Sequence, residues 1–535
     1  MTRGMTEDWM QSYNLLQYVF CRCRAAVHDA MVARRKTKRI FEGKQVSAMF
    51  HRQYGLWING VVERPEGNQS HDRYSPANGE PVAKVCLATP EDVGRAVASA
   101  KATFKSGVWS KMPAIERGKI IQRFADLIVA ELDHLSLIEA EEAGKTMAAA
   151  RGEIEWSVEL ARFAATLAWN IPGKVINHEG AEKLGLVTHE ALPVVGMILP
   201  WNFPTVTLFQ KLPYALAAGC SVVIKPSTFT PGTTLEYARL AKEAGIPDGV
   251  ISVLPGNGDD VGRTLCLHPD IDMISFTGST TVGKEIAALC GQTLKKVALE
   301  LGGKGANIVF ADADLEAAVD GALAAFTINQ GEECCAGARL LVEKSIADDF
   351  VQRLASKARS LKLGTSKDAE ADIGPMIHEQ HHAKVISYIE ASKREGATLV
   401  TGGGRPSDAR LDSGYFVEPT IFTGITPEMT IFNEEVFGPV LGVTTFESEA
   451  EAVALANATP YGLANGLWTK DLDRAMHVSA ALESGFVYVN CYLETVPQLP
   501  FGGVKASGLG RENGTEGLLE FMQTKSTFIR LRAGH

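Results

Sequence analysis

Short apolar segments alternate with helical patterns in the middle of this chain, and this alternation limits the folds that it can adopt. Continuous apolar runs occur at residues 195–199, 221–224, 250–254 and 273–276. Parallel strands need long crossover connections, usually helices, so the pattern predicts an α/β fold with a parallel sheet flanked by helices. A second alternating region begins at residue 306, and 535 residues exceed what one hydrophobic core normally holds. We therefore expect at least two domains.

The charge and the cysteine content restrict the class of function. The net charge of −10 argues against binding to nucleic acid or to an anionic membrane surface, and no run of about eighteen apolar residues predicts a membrane span. The nine cysteines are scattered without a CxxC pair or zinc-ligand spacing, so the sequence predicts no metal site. Few disulfides are expected at this density, which favours a reducing compartment and a cytoplasmic location.

Residues 1–50 differ from the rest of the chain, because they are basic and contain no proline. A transit peptide would be rich in arginine and poor in acids, but Glu7, Asp8 and Asp29 weaken that interpretation. The alternative, which we favour, is a start codon assigned too far upstream, with Met49 as the true start. In either case we expect an N-terminal extension that is disordered and takes no part in chemistry.

A cysteine and a glutamate, each among small residues, suggest a covalent reaction followed by hydrolysis. Cys334 lies in the segment NQGEECCAG at residues 329–337, and Glu300 begins the earlier segment ELGGK. A thiolate is a strong nucleophile, and a glutamate can activate water as a general base. A lone cysteine is more often a small buried apolar residue. The occurrence of Glu300 followed by Cys334, each in a segment that contains glycine, favours the catalytic interpretation.

Asn202 lies in an unusual segment, PWNFP at residues 200–204, directly after the first predicted strand. The two prolines restrict the backbone on both sides of the amide. A rigidly held side-chain N–H₂ group is a suitable donor to a developing oxyanion. The alternative is a structural turn in which Asn202 bonds to its own backbone.

Three further features are candidates for phosphate or cofactor binding. The glycines around Gly258 superficially match a phosphate loop, although glycine often simply ends a strand. The segment FTGSTTVG at residues 276–283 brings a strand end, hydroxyl groups and a helix start together, which suits either a phosphate or an ordinary N-cap. Lys225 ends a buried strand at the edge where open α/β sheets bind ligands, or it is a surface lysine.

Seven motifs in this order resemble the aldehyde dehydrogenase superfamily over about residues 54–530: PWNFP, IKPS, FTGSTTVG, ELGGK, GEECCAGAR, EEVFGPV and PFGGVKASG. The resemblance implies oxidation of an aldehyde to its carboxylic acid with NAD or NADP. It also implies a doubly wound parallel-sheet cofactor domain at residues 51–172 and 192–302 and an α/β catalytic domain at residues 303–502. A bridging β oligomerisation element at residues 173–191 and 515–535 would exchange strands between subunits, so a homodimer or homotetramer is expected.

The resemblance also implies roles for individual residues. Cys334 matches the nucleophile, which would form a thiohemiacetal and then a thioester, and Glu300 matches the general base. Asn202 and the backbone N–H of Cys334 would hold the oxyanion. The residues expected to bind the cofactor are Trp201, Lys225, Ser227, Thr228, Gly258, Gly278, Ser279, Gly283, Glu435 and Phe437.

Two departures from the family pattern bear on specificity. Members that prefer NAD usually carry a glutamate where this chain has Thr228, and a threonine does not repel a 2′-phosphate, so we expect use of both NAD and NADP. Glu333 stands beside the nucleophile, where a small or apolar residue is common. Its charge would raise the thiol pKa and favour amino- or hydroxyl-bearing aldehydes. Alternatively, Glu333 points into solvent or pairs with a base.

The expected substrate tunnel is also less aromatic than is usual in the family. Four positions that often hold aromatic or apolar residues are Thr207, Gln210, Ile328 and Thr495. The rings of Phe203 and Phe501 are kept. Together with Glu333, this lining predicts a small polar or amino aldehyde as substrate.

Two rival functions fit parts of the sequence. A CoA-acylating semialdehyde dehydrogenase of the same fold typically lacks the general base, so the presence of Glu300 favours hydrolysis. A non-catalytic structural or binding protein would not need Cys334, Glu300, Asn202 and Glu435 together. Esterase activity, which the same thiol can support without a cofactor, is expected only as a side reaction.

Overall fold

The structure is a computed structural model that describes residues 52–180 and 182–531. The expectations for residues 1–50 lie outside the described residues. No helix in these two ranges is long and apolar enough to cross a membrane.

All four apolar runs form strands of one eight-stranded sheet, within one or two residues of the expected limits. The five central strands are parallel, and antiparallel strands complete both edges. In spatial order the strands are Gly508–Leu509, Lys296–Glu300, Met273–Thr277, Val194–Ile198, Ser221–Lys225, Ile251–Val253, Leu56–Ile58 and Val61–Glu63. The predicted α/β class with a parallel sheet is confirmed.

Residues of the strand Val194–Ile198 alternate between two hydrophobic cores, which explains why the strand is a continuous apolar run. Val195 and Met197 pack into the core on one face, and Val194 and Ile198 pack into the core on the other. A parallel strand covered by helices on both faces has no solvent-facing side to carry polar residues. The sheet is therefore doubly wound, as expected.

The strand order reverses beside Val194–Ile198. From that strand the chain proceeds in one direction through Ser221–Lys225 and Ile251–Val253, then returns to the opposite side at Met273–Thr277 and Lys296–Glu300. In open α/β sheets, ligands bind at the carboxyl ends of the strands at such a switch point. The topology therefore places a binding crevice beside the segment that follows Ile198.

A seven-stranded sheet forms from the second alternating region. Six of its strands are parallel and one edge strand is antiparallel. In spatial order they are Thr398–Thr401, Thr420–Thr423, Val440–Phe446, Arg339–Glu343, Ala306–Val309, Ala464–Trp468 and Phe486–Val489. Glu300 ends a strand of the first sheet and Ala306 begins a strand of the second, so the ELGGK segment joins the two sheets.

Two three-stranded sheets contain the remaining strands of the described residues. In one of them Met522–Arg530 pairs antiparallel with Lys183–Ala191 along its whole length, and Lys174–Ile176 adds a third strand. These segments coincide with the expected oligomerisation element. The other small sheet contains Arg52–Tyr54, Pro81–Cys86 and Ser70–Tyr74. The domain limits given above remain predictions.

Several helices begin at a residue whose side chain caps the first turn, or end at a glycine in the left-handed region. Pro90–Ser106, for example, starts after Thr89, which forms a reciprocal capping box with Asp92, and stops at Gly107 in the left-handed region. The other α-helices in the described ranges are Ala114–Ala130, Leu132–Ala143, Met147–Leu167, Pro204–Phe209, Leu212–Ala218, Gly232–Ala244, Thr264–Leu267, Thr280–Gly291, Leu315–Thr327, Ala347–Ser360, Glu379–Arg394, Thr430–Asn433, Glu449–Asn457, Leu472–Ala481 and Gly514–Glu520.

Candidate active site

The register of the first sheet brings several predicted site residues to one edge. Lys225 pairs in register with Ile198, and Glu300 pairs with Thr277. The segments that follow these strand ends contain Asn202 and Gly278. Residues that are up to about a hundred positions apart in the chain therefore meet at the switch point.

The loop that carries Cys334 is held by a short left-handed turn. Asn329, Gln330 and Gly331 all have positive φ angles, of 49°, 60° and 72°. Asparagine and glycine tolerate this region better than other residues. A side chain at position 331 would collide with the Gly438 backbone at 2.3 Å, so only glycine fits. This turn fixes the direction in which the chain enters the nucleophile segment.

Asn202 is bonded to the nucleophile loop rather than to its own backbone. Its side-chain Nδ2 donates to the carbonyl of Glu332 at 3.0 Å, and Nδ2 of Asn329 donates to the Asn202 carbonyl at 2.9 Å. The Asn202 amide carries a second hydrogen that this bond does not use. The side chain is therefore buried, oriented against the nucleophile loop and still able to donate one bond.

Cys334 is half-buried and lies against Glu333 and Cys335. Its thiol donates to the Glu333 carboxylate at 3.6 Å, and the Cys335 thiol donates to the same oxygen at 3.0 Å. A hydrogen bond with Cys335, burial, and the Glu300 and Glu333 carboxylates raise the pKa of the Cys334 thiol well above its usual value. Glu333 thus points at both thiols instead of into solvent, which decides between its two expected orientations.

Glu300 is buried close to the same thiol. Within the described chain, its Oε1 has no hydrogen-bond partner, which leaves an acceptor for a water or a substrate. Burial and Glu512 raise the pKa of the Glu300 carboxyl well above its usual value, whereas Lys211 and a hydrogen bond from Cys334 lower it. A carboxyl group with a raised pKa is a stronger base once it is ionised, which suits the activation of water.

Lys211 and Glu512 were not predicted as site residues, although they are buried beside Glu300. The Lys211 ammonium forms an ion pair with Glu512 and donates to the Thr277 hydroxyl at 2.6 Å. Lys211 stands within the apolar segment LFQKLPYALAA, and a lysine in such a run is a sign of a buried, paired charge. Only the tertiary structure identifies its partner, 301 residues away.

Trp201, Phe437 and Glu435 form one wall next to the ELGGK segment. The Trp201 and Phe437 rings meet edge to face, with centroids 5.4 Å apart. Glu435 Oε1 accepts the backbone N–H of Gly303 at 2.9 Å. Burial raises the pKa of the Glu435 carboxyl to about 7, against the opposing effects of this bond and of Lys384 and Lys304.

Lys225 is a buried cation rather than a surface lysine. Its ammonium donates to the adjacent Pro226 carbonyl at 3.2 Å, and burial lowers its pKa to about 8. Ser227 is also buried and accepts a bond from the Phe229 N–H at 3.2 Å, while Thr228 is half-buried. A buried ammonium with so weak an intramolecular bond is suited to polar ligand atoms.

The expected phosphate-binding segment lies at an open helix end. Ser279 is exposed and caps the helix Thr280–Gly291 by accepting the Val282 N–H at 3.3 Å. Gly283 packs so closely on Leu301 that a Cβ would lie 2.4 Å from its side chain, whereas a Cβ at Gly258 would meet open space. Gly278 lies at the strand end, so the positive N-terminus of the helix Thr280–Gly291 follows the strand directly, and the N–H groups of Gly278 and Gly283 bond to the carbonyls of Glu300 and Ser279. Together with Lys225 and Glu435, they fit a dinucleotide such as NAD or NADP.

The residues predicted to line the substrate tunnel differ in their burial and in their contacts. Phe501 belongs to the apolar cluster that packs on Cys334, and the Phe203 ring lies 4.3 Å from the Lys145 ammonium. The Thr207 hydroxyl is bonded to the Phe203 carbonyl at 2.8 Å, so it is not a free donor. Gln210 is buried, Thr495 is half-buried, and Ile328 is 43% exposed.

The comparison with known families agrees with this geometry. The family model described as "Aldehyde dehydrogenase family" matches residues 62–527. The chain belongs to the aldehyde dehydrogenase family. The predicted family, the reaction class and the use of NAD or NADP are thereby confirmed.

Individual relatives cover nearly the whole described chain of this aldehyde dehydrogenase. "Betaine aldehyde dehydrogenase" of Bacillus subtilis is 42% identical over 473 residues, which are 88% of this chain and 96% of the relative. The NAD-dependent aldehyde dehydrogenase of Sinorhizobium meliloti has a similar structure, with a TM-score of 0.88, 42% identity, and coverage of 90% of this chain and 96% of that chain. The NAD⁺ complex of the Bacillus cereus aldehyde dehydrogenase gives a TM-score of 0.88 at 39% identity, and the match covers 90% of this chain and 97% of that chain.

Proposed function

We propose that Cys334, Glu300 and Asn202 carry out the oxidation of a small polar or amino aldehyde to its carboxylic acid. The observation that supports this most strongly is the buried Glu300 carboxyl beside the accessible Cys334 thiol, with its Oε1 unbonded in the described chain. Asn202 completes the arrangement, because its amide is fixed against the nucleophile loop.

In this proposal the chain's residues act in a definite order. The Cys334 thiol loses its proton to water, its sulfur attacks the aldehyde carbon, and the resulting oxyanion accepts bonds from the Asn202 amide and the Cys334 N–H. The nicotinamide of bound NAD or NADP supplies the hydride acceptor. Glu300 then removes a proton from water, which attacks the thioester carbon and releases the acid. Lys225, Glu435 and the helix that begins after Ser279 would hold the cofactor.

The substrate class rests on Glu333. Its carboxylate lies 3.6 Å from the Cys334 sulfur, so a negative substrate group near the aldehyde would be repelled. An amino or hydroxyl group would instead find a hydrogen-bond acceptor. The Bacillus subtilis relative is named for betaine aldehyde, which makes that compound a useful member of a substrate panel.

The roles can be tested by product formation during the first turnover. Wild type should reduce NAD⁺ or NADP⁺ with amino and hydroxy aldehydes faster than with carboxylate-bearing or aromatic ones. Cys334→Ala should form no reduced cofactor, whereas Glu300→Gln should form one equivalent per site and then stall. Cys86→Ala, which removes another half-buried thiol, is the matched control. A steady rate in Glu300→Gln equal to that of wild type would refute the base assignment.

The same assay, repeated with added CoA, distinguishes the hydrolytic reaction from the CoA-acylating alternative. If CoA rather than water takes the acyl group, turnover should depend on added CoA and yield an acyl-CoA. We expect equal rates with and without CoA, because Glu300 is present and buried beside the thiol.

We also infer that the sheet of Lys174–Ile176, Lys183–Ala191 and Met522–Arg530 mediates oligomerisation. Val175 and Phe528 on this sheet are 67% and 69% exposed, although both are apolar. Large apolar side chains exposed together favour a protein interface. Light scattering of the protein should give a dimer or tetramer, and Phe528→Lys should shift it toward the monomer. A monomeric wild type would refute the inference.

A further inference from the structure

Three potential metal ligands meet at the nucleophile. The thiols of Cys334 and Cys335 and a carboxylate oxygen of Glu333 all lie within 4.8 Å of one another. The Glu333 oxygen is 3.6 Å from the Cys334 sulfur and 3.0 Å from the Cys335 sulfur. Both thiols therefore converge on one oxygen atom.

This donor set and its spacing suit a thiophilic divalent cation. Zinc binds thiolate sulfur at about 2.3 Å and carboxylate oxygen at about 2.0–2.2 Å in tetrahedral sites, which places neighbouring ligand atoms about 3.5 Å apart. Soft thiolate ligands select zinc-like ions over magnesium and calcium. The two sulfur–oxygen distances, 3.6 and 3.0 Å, lie on either side of the distance of about 3.5 Å between neighbouring zinc ligands. The loop would therefore need no large movement to bind the ion.

We propose that Glu333, Cys334 and Cys335 form a binding site for a zinc-class divalent cation that reversibly inhibits the enzyme. Two S–H bonds break and two metal–sulfur bonds form, with both protons released to solvent. Three protein ligands leave the fourth position of a tetrahedral site open, and Cys334 is only half-buried. Coordination withdraws electron density from the Cys334 sulfur and the ion blocks the approach of the aldehyde, so oxidation stops while the ion is bound.

The surroundings of these residues differ from those of another acidic cluster. Glu131 and Glu236 lie near His134, but the Arg239 guanidinium bonds to their carboxylates at 2.7 and 2.8 Å. A cation therefore already neutralises that cluster. At the nucleophile, by contrast, the buried Glu300 carboxyl adds negative charge, the Glu333 oxygen is bonded to the two thiols, and Lys145 acts on Glu333 without a hydrogen bond between them.

Metal binding is tested first without reference to catalysis. Full-length protein is treated with a chelator, the chelator is removed, and CdCl₂ is titrated while sulfur-to-cadmium charge-transfer absorption is recorded. We expect one ion per chain, loss of the absorption in Cys335→Ala, and affinity reduced by at least about tenfold in Glu333→Gln. Cys290→Ala is the control, because Cys290 lies near a second buried thiol, Cys266. Unchanged absorption in Cys335→Ala, or none in wild type, would overturn the proposal.

Inhibition is tested next, and this part rests on the proposed role of Cys334. The oxidation rate with ZnCl₂, divided by the rate without it, should be low in wild type and Cys290→Ala. After addition of a chelator, the rate should return to its value before ZnCl₂ was added. In Glu333→Gln and Cys335→Ala the ratio should approach one. Equal inhibition in all four proteins would place the metal elsewhere. If wild type oxidises no aldehyde, the cadmium absorption still reports on the site, so failure of the proposed function and failure of the metal site are distinguishable.

Discussion

The Glu153 carboxylate accepts the backbone N–H of Thr205 at 3.0 Å and thereby fixes the first turn of the helix that follows Asn202. The same oxygen accepts the N–H of Val206 at 2.9 Å. Glu153 also pairs with Lys145, whose ammonium contacts Glu139 at 3.3 Å. Because these charged groups are buried, an ionic cluster behind the site holds the candidate oxyanion donor in place.

Glu153→Gln should lower both stability and turnover. The substitution keeps an acceptor for the Thr205 N–H but leaves Lys145 without its main counter-ion, and breaking a buried pair costs about 3 kcal/mol or more of unfolding free energy. Turnover should fall because rearrangement around the unpaired Lys145 shifts the helix start that follows Asn202, while cofactor affinity should change little. Urea unfolding and steady-state kinetics measure the two effects. Glu155→Gln, on the exposed part of the same helix, is the control, and equal stability of the two variants would contradict the role of Glu153.

Gly303→Ala should reduce activity by about 100-fold, since small displacements of catalytic groups have effects of that size. A Cβ at this position would lie 2.2 Å from the Cys334 carbonyl oxygen, so the nucleophile loop would have to move. Gly291→Ala is the matched control, because a Cβ there meets no atom within 4 Å. Gly291 ends a helix, so its replacement should be neutral or stabilising by up to about 1 kcal/mol. Comparable activity of both variants would show that the contact at Gly303 is relieved elsewhere.

Thr228→Glu should shift the cofactor preference toward NAD. A carboxylate there would accept bonds from ribose hydroxyls and repel a 2′-phosphate, an effect of about 1–2 kcal/mol or roughly tenfold in affinity. Dissociation constants for NAD⁺ and NADP⁺ measured by fluorescence give the ratio. Thr228→Gln controls for size without charge. Unchanged NADP⁺ affinity in Thr228→Glu would mean that position 228 does not face the 2′-position.

Cofactor affinity of the free enzyme should be greatest between about pH 7 and 8. Burial raises the pKa of Glu435 to about 7, so its carboxylate becomes available to ribose hydroxyls only as the pH rises through that value. Burial lowers the pKa of Lys225 to about 8, so its positive charge is lost above that value. Glu435→Gln should remove the acidic limb of the affinity profile, and Lys225→Met the alkaline limb. An acidic limb that persists in Glu435→Gln would have to be assigned to another group, such as Lys304, whose pKa burial lowers to about 7.

The sequence by itself determined the fold class and indicated the candidate reactive groups. Parallel strands that are buried on both faces consist of nearly continuous apolar runs. The strands Val194–Ile198 and Met273–Thr277 could therefore be predicted from the sequence. Cys334, Glu300 and Asn202 stand in short motifs whose local chemistry is distinctive. Residues 114–142 repeat apolar residues at three- and four-residue spacing, which is typical of one helix, but the structure divides this stretch at Glu131 into two helices.

The tertiary structure decided which charges meet. Glu333 was compatible with solvent or with the thiols, and only the fold shows its carboxylate against both Cys334 and Cys335. Lys211 and Glu512 were not recognised, because their ion pair joins positions 301 residues apart. Periodicity records which side chains are buried, since burial follows from the local spacing of apolar residues. Pairing between distant buried charges depends on strand order and register, which no local pattern contains.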